Sequence, residues 1–307
     1  MGQFLQQLLN GVQLGSLYAL IAVGYTVVYG IVQLINFAHG EVFMLGAFGA
    51  LATWSVLFHN STTIWALPVM IVGAALTCVV VAVVMERLAY RPLRNAPRLA
   101  PLITAIGVSV ALQQVVFLFY PGAKSAVAFP SIDIVTGDAF SVGGIDVKPQ
   151  AIFTISALII CAIGLWLFIN RTKQGRAMIA VSQDPDTARL MGVNVDRTIA
   201  IAFALGAVLA AIAGVAQGLQ VGNIVPTMGF MAGLKAFTAA VLGGIGNIQG
   251  AVAGGLVLGV IETMATQYVP GQFGGQTWAD VWAFILLIIV LVFRPQGLLG
   301  ARVVDRA

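Results

Sequence analysis

Apolar runs of about twenty residues, separated by short polar stretches, set the pattern of this chain. An α-helix needs roughly 20 apolar residues to cross a hydrocarbon layer of about 30 Å, whereas barrel strands alternate over about ten. The pattern predicts membrane spans over Leu8 to Leu34, Glu41 to Phe58, Trp65 to Glu86, Leu99 to Tyr120, Ala151 to Asn170, Thr198 to Val221 and Thr277 to Phe293. Between the last two lies Met228 to Val269, a stretch punctuated by glycine and centred on AVLGGIGNIQGAVAGG.

Composition agrees with the pattern. Of 307 residues, 60% are hydrophobic and 8% charged, against roughly 25% charged in a soluble domain. With a mean hydropathy of +0.99, the expected class is all-α, a polytopic integral membrane protein of about 8–9 transmembrane helices forming a single transmembrane domain over 1–307. Cys78 and Cys161 lie inside apolar runs without metal-type spacing and read as small packing residues. The first residues, MGQFLQQLLNG, lack a basic flank and lead into an apolar run too long for a cleaved signal, so they read as part of the mature chain.

Charge then orients the spans. The net charge of +4 is concentrated in loops, as expected for segments held on the cytoplasmic side, so no nucleic-acid partner is inferred. Arg87 to Arg98 carries four arginines and two prolines. A second basic loop over 171–197 holds Arg171, Lys173, Arg176, Arg189 and Arg197, and the loop over 121–148, with Asp133, Asp138 and Asp146 against Lys124 and Lys148, fits the outer, periplasmic face. The tail from Arg294-Pro295 is also basic, so an even number of crossings must separate it from the 171–197 loop. Met228 to Val269 is therefore expected to cross twice, as short or broken helices over Met228 to Gly243 and Gly250 to Gln267. Counting back places the N-terminus outside and predicts nine crossings.

The segment from Gly175 to Arg197, GRAMIAVSQDPDTARLMGVNVDR, carries its own helix signals. Asp184 suits the N-cap, Pro185 the first helical position and Asp186 the positive helix end, while Gly192 can take the left-handed conformation that ends a helix. A capped helix in a membrane protein's loop is a candidate docking surface; a plain solvated turn is the alternative.

Asn36, His39 and Glu41 cluster between the first two spans. A charge at the bilayer centre costs about 2.5 to 3.5 kcal/mol on insertion scales, so such groups face a pathway or a partner; a short aqueous turn at the cytoplasmic surface is the competing reading. Glu86 and Glu262 lie near predicted span ends, where a carboxylate reaches water. Gly243, Gly244, Gly246, Gly250, Gly254, Gly255 and Gly259 serve close helix packing or a broken helix lining a pathway. None of the four lysines completes a phosphate loop, His39 and His59 cannot form HExxH, and no GxSxG elbow is present. No catalytic or metal-binding residue is therefore assigned.

Four blocks in order, QLINFAHGEVFMLGAF, GRAMIAVSQDPDTARLMGVNV, FTAAVLGGIGNIQGAVAGGLVLGVIE and FRPQGLLG, resemble the LivH-type permease subunits of bacterial high-affinity branched-chain amino acid ABC importers. The resemblance covers essentially the whole chain. It implies half of a transmembrane pathway in the inner membrane, completed by a second, LivM-type permease. Two cytoplasmic ABC ATPase subunits would bind the ATP and Mg, this chain holding no cofactor of its own, and a periplasmic amino-acid-binding protein would deliver leucine, isoleucine or valine. It assigns Asp184, Pro185, Asp186, Ala188, Arg189, Leu190 and Gly192 to an ATPase-coupling helix, and leaves Asn36, His39, Glu41, Gly243, Gly244 and Gly246 as candidate pathway or gate residues. A permease for urea or amides would share this architecture. From other classes, an ion-coupled carrier would use His39 and Glu41 as proton sites, and a membrane-embedded enzyme would need a catalytic motif.

Overall fold

The computed structural model describes residues 2–58, 63, 65–94, 96–97, 99–132, 135, 137, 139–142 and 145–300. His59, Arg98, Asp133 and Asp138 lie outside the described residues. Long helices dominate: α1 (Gly2–Val32), α2 (His39–Phe58), α3 (Ala66–Met85), α4 (Leu99–Phe119), α5 (Pro149–Arg171), α6 (Lys173–Gln183), α7 (Pro185–Leu190), α8 (Val195–Val221), α9 (Met228–Gly243), α10 (Ile248–Tyr268) and α11 (Ala279–Phe293). A π-helical turn, Glu86–Tyr90, and a 3₁₀ turn, Arg91–Leu93, extend α3. Among the described residues eight helices are long and apolar enough to cross a membrane, and α9 is a ninth, shorter apolar helix.

Each predicted span coincides with a helix, with two corrections. The segment expected to be short at Gly250 to Gln267 is a full helix of 21 residues. Asn247 caps it, accepting from the amides of Gln249 and Gly250 at 3.0 and 3.3 Å, so the helix starts where its first donors find an acceptor. The 171–197 loop holds two helices rather than one, because the Thr172 side chain accepts from the Gly175 amide at 3.0 Å and starts α6 ahead of α7.

The core is built around α1, whose residues from Leu17 to Val28 are buried. Helix α10 runs antiparallel along it. A Cβ on Gly259 would stand 2.1 Å from the Gly15 amide nitrogen, and one on Gly255 2.5 Å from the Ala19 Cα, so the two backbones touch. Without a hydrophobic drive between helices in lipid, such backbone approach supplies dispersion contact that larger side chains would prevent. Helices α3, α4, α5 and α11 keep most of their surface outside the bundle, which suits elements facing lipid or another subunit.

Small sheets close the face opposite the basic loops. β1 (Val127–Ala128) pairs antiparallel with β4 (Asn223–Ile224), and β2 (Phe140–Val142) with β3 (Ile145–Val147). The Gln6 side chain meets the Asp146 backbone at 2.8 and 3.2 Å, placing the start of α1 on that face. At the basic face, Leu298 and Leu299 donate their amides to the carbonyls of Leu242 and Gly243 at 2.8 and 2.9 Å. The Asn247 side chain donates to the Leu299 carbonyl at 2.9 Å. The tail thus closes over the α9–α10 turn.

Candidate functional site

Two groups of predicted residues occupy distinct places. The first is α7. Asp184 has extended backbone, φ −154° and ψ 103°, and its carboxylate accepts from the amides of Asp186 and Thr187 at 2.9 and 3.1 Å. The Thr187 hydroxyl also donates to it. That hydroxyl, followed by the Thr187 and Asp186 amides, holds the Asp184 carboxyl below its ordinary range. Pro185 takes the first helical position. Gly192 ends the turn with φ +82°, its amide donating to the Arg189 carbonyl and that of Val193 to the Ala188 carbonyl, both at 3.0 Å. The exposed Arg189–Asp186 pair, 2.9 Å, adds little in water.

This short helix has an inner and an outer side. Ala188 is buried against the body, while Leu190 and Met191 are 88% and 80% exposed, two large apolar side chains presented together. Behind α7, Arg94 joins three elements. Its guanidinium donates to Asp196 in the first turn of α8 at 2.6 Å and to the buried Glu86, and Arg91 meets Asp196 as well. Glu86 therefore does not reach water at a span end: it is buried and paired, a link that sequence spacing did not reveal.

The second group is Asn36, His39 and Glu41, buried to 3%, 3% and 0% exposure. The aqueous-turn reading is not what the structure holds. Helix α1 stops at Gln33, which has φ +53°, a conformation uncommon for a residue with a side chain. Residues 34–38 then double back into the bundle. His39 lies against Gly24 and Gly206, eight residues before the end of α1 and eleven after the start of α8, so α2 begins roughly 12 to 17 Å inside the bundle at 1.5 Å per residue.

Helix α9 begins beside it. A Cβ on Gly40 would stand 2.3 Å from the Gly229 carbonyl oxygen, and one on Gly229 2.5 Å from Glu41 Oε2. Two helix N-termini thus converge on one buried carboxylate, the charge sign their dipoles favour. Glu41 Oε1 accepts from Ser109 and Gln113 of α4 at 3.0 and 2.8 Å. Tyr90 donates to Asn36 Oδ1 at 2.6 Å, and Tyr25 packs edge-on to His39 at 4.7 Å. Glu41 Oε2, Asn36 Nδ2 and His39 Nε2 have no hydrogen-bond partner among the described residues. Ser109, Gln113 and Tyr90 were not foreseen; each sits in a run with no periodic signal.

The glycines divide. Gly243 and Gly250 touch backbone to backbone, Gly244, with φ +105°, lies under Gly300 of the tail, and Gly246, with φ +95°, has open space beside it. The candidate gate glycines, Gly243, Gly244 and Gly246, shape the α9–α10 turn at the basic face and lie away from the Glu41 junction. Glu262, expected at an interface, is buried. Lys235 of α9 donates to it at 2.8 Å and meets Asp280 of α11 at 2.6 Å, with the Tyr18 hydroxyl at 3.2 Å. The signal was available as a lone lysine in an apolar sixteen-residue helix. Among the described residues no cluster of His, Cys, Asp or Glu could hold a metal.

Comparison with known proteins places this architecture. A family model described as "Branched-chain amino acid transport system / permease component" matches residues 7–291. The chain is 44% identical over 310 aligned positions to the high-affinity branched-chain amino acid transport system permease protein BraD of Pseudomonas aeruginosa, covering 99% of this chain and 98% of that one. It is likewise 44% identical to LivH of Escherichia coli, covering 99% and 97%. Among solved structures, PsaBC from Streptococcus pneumoniae in complex with Fab aligns with a TM-score of 0.51 at 13% identity, covering 95% of this chain and 92% of that one, a likeness of fold.

Proposed function

The chain belongs to the branched-chain amino acid transport permease family, and from that premise we propose that it forms half of the membrane pathway of an ABC importer for leucine, isoleucine and valine. The observation that carries this reading is the 44% identity, sustained over nearly the whole of both chains, to permeases of high-affinity systems for those amino acids. The chain is a multi-pass membrane protein and works with other ABC subunits: a LivM-type permease, two cytoplasmic ATPases that bind ATP and Mg, and a periplasmic binding protein that supplies the cargo. Its residence is the inner membrane, with the basic face in the cytoplasm.

Power then has to arrive mechanically. Helix α7 is suited to receive it, since caps at both ends make it rigid and Leu190 with Met191 offers apolar contacts. Displacement of α7 reaches α8 through Val193 and Asn194, and Asp196 carries it across to Arg94, Glu86 and the end of α3. The pathway lies toward α2, α4 and α9, whose starts and side chains meet at Glu41. A shift of α9 against α2 would change the Gly40–Gly229 contact, so the junction serves as the gate. His39 and Asn36 hold the turn that positions it.

The test is reconstitution of the co-purified complex in proteoliposomes with its binding protein. The expected result is leucine-stimulated, vanadate-sensitive ATPase activity with leucine uptake, and recovery of a second permease with two ATPases. Asp184→Ala and Gly192→Val should assemble yet lose stimulation while keeping basal hydrolysis; wild-type stimulation in both would remove the coupling role. A second cargo reading has one supporting observation, the 33% identity over 54% of this chain to the fructose import permease protein FrcC of Rhizobium meliloti. Binding-protein titration with leucine and fructose separates the two.

A further inference from the structure

Where the basic end of α1 meets α5 and α6, a cleft of about 330 Å³ opens, with Thr26, Trp166, Ile179, Ser182 and Asn247 among its walls. A second, apolar trough of about 330 Å³ runs beside it along α5 and α10, lined by Ala162, Ile163 and Val252. The two share Trp166, Ile248 and Gln249, so they form one slot. Its apolar end lies on the outward surface of α5, where Ile160 and Ile163 are 69% and 55% exposed. Its polar end lies at the basic face.

Thr26 marks the polar end. Several threonines inside the helices satisfy their hydroxyls on the carbonyl four residues back, as Thr53, Thr77 and Thr154 do at 2.7, 2.9 and 2.8 Å. Thr26 is 1% exposed and its Oγ1 has no partner among the described residues. A buried hydroxyl without an acceptor costs free energy, so this one awaits an acceptor that enters the slot. Thr26 stands six residues before the end of α1 and Trp166 five before the end of α5, both roughly 8 to 9 Å below the basic face. That is the depth of an acyl ester, beneath a headgroup. At the headgroup level, Arg171, Lys173 and Arg176 belong to no ion pair among the described residues, and no acidic side chain lines the slot.

We propose that this slot binds one anionic phospholipid of the facing leaflet. An acyl chain lies in the α5–α10 trough against Trp166, an ester carbonyl accepts from Thr26, and the phosphate sits by Lys173 and Arg176 at the start of α6. A lipid so placed braces α6, and through it α7, against α1 and α5.

The assembly extracted from membranes and reconstituted in nanodiscs provides the test, with brominated phosphatidylglycerol and brominated phosphatidylcholine as tryptophan quenchers. Brominated phosphatidylglycerol should quench more than the zwitterionic lipid at equal mole fraction, with the excess lost in Trp166→Phe. Lys173→Gln/Arg176→Gln changes two exposed side chains and leaves the bundle intact; it should weaken the phosphatidylglycerol preference by roughly fivefold per charge removed. Equal quenching by the two lipids, or an excess that survives both variants, overturns the site. So does a crosslink from Ile163→Cys to the second permease, which would make the slot a subunit interface.

Discussion

At the scale of single residues, two carboxylates show how surroundings decide what a charge does. Glu262 and Lys235 form a buried pair that also meets the buried Tyr18 and the half-exposed Asp280. Lys235→Met leaves Glu262 buried without its cation and should cost about 3 to 5 kcal/mol, whereas Lys235→Met/Glu262→Gln, which removes both charges, should recover most of that loss; thermal unfolding of the purified complex measures both. Asp184 is the surface counterpart. Its carboxyl is held below the ordinary range by Thr187 and Asp186 donors, so the cap's contribution is fully present above the usual aspartate range, near pH 4, and is lost as pH falls through the lower, folded value. Hydrogen exchange of the Asp186 and Thr187 amides should accelerate relative to neighbouring exposed amides only on that acid side. Asp184→Asn keeps an acceptor and should abolish the extra acid step; the same step in the variant would refute its assignment to Asp184.

At the scale of elements, helices were legible because apolar length and caps are local properties. Spans, the Asp184–Gly192 helix and the short Met228–Gly243 helix could all be read from consecutive residues. Partnership could not. Glu41 gains its donors from residues 68 and 72 positions away, and Glu86 is buried because an arginine eight residues on folds back over it. Sequence places such carboxylates near span ends, where water is the default partner, and only packing reveals that another helix has displaced the water. The glycine pattern fits close packing or a broken pathway helix, and the α1–α10 seam makes the packing reading testable. Gly259→Leu drives a side chain into the α1 backbone and should prevent stable assembly, while Gly164→Leu, with nothing within 4 Å of its Cβ position, should be tolerated. Size-exclusion profiles of both variants decide whether backbone contact or mere small size matters at this seam.

At the scale of the whole molecule, alternating helix directions put the start of α1 with strand β3 and the tail with the α9–α10 turn, on opposite faces. Labelling should follow: in a variant lacking Cys78 and Cys161, Gln3→Cys should react with an impermeant maleimide in intact spheroplasts, and Gln296→Cys only after permeabilisation. Reaction of both in intact spheroplasts would break the parity of nine passes. The tail also bears on how the chain is made. Leu242 and Gly243 leave the ribosome 56 residues before Leu298 and Leu299, whose amides their carbonyls accept, and Lys235 precedes its partner Asp280 by 45. Helix α9, short and carrying a cation, therefore gains these bonds only after later segments have been synthesised. Closure of the α9–α10 turn is thus completed by residues synthesised 56 positions after it.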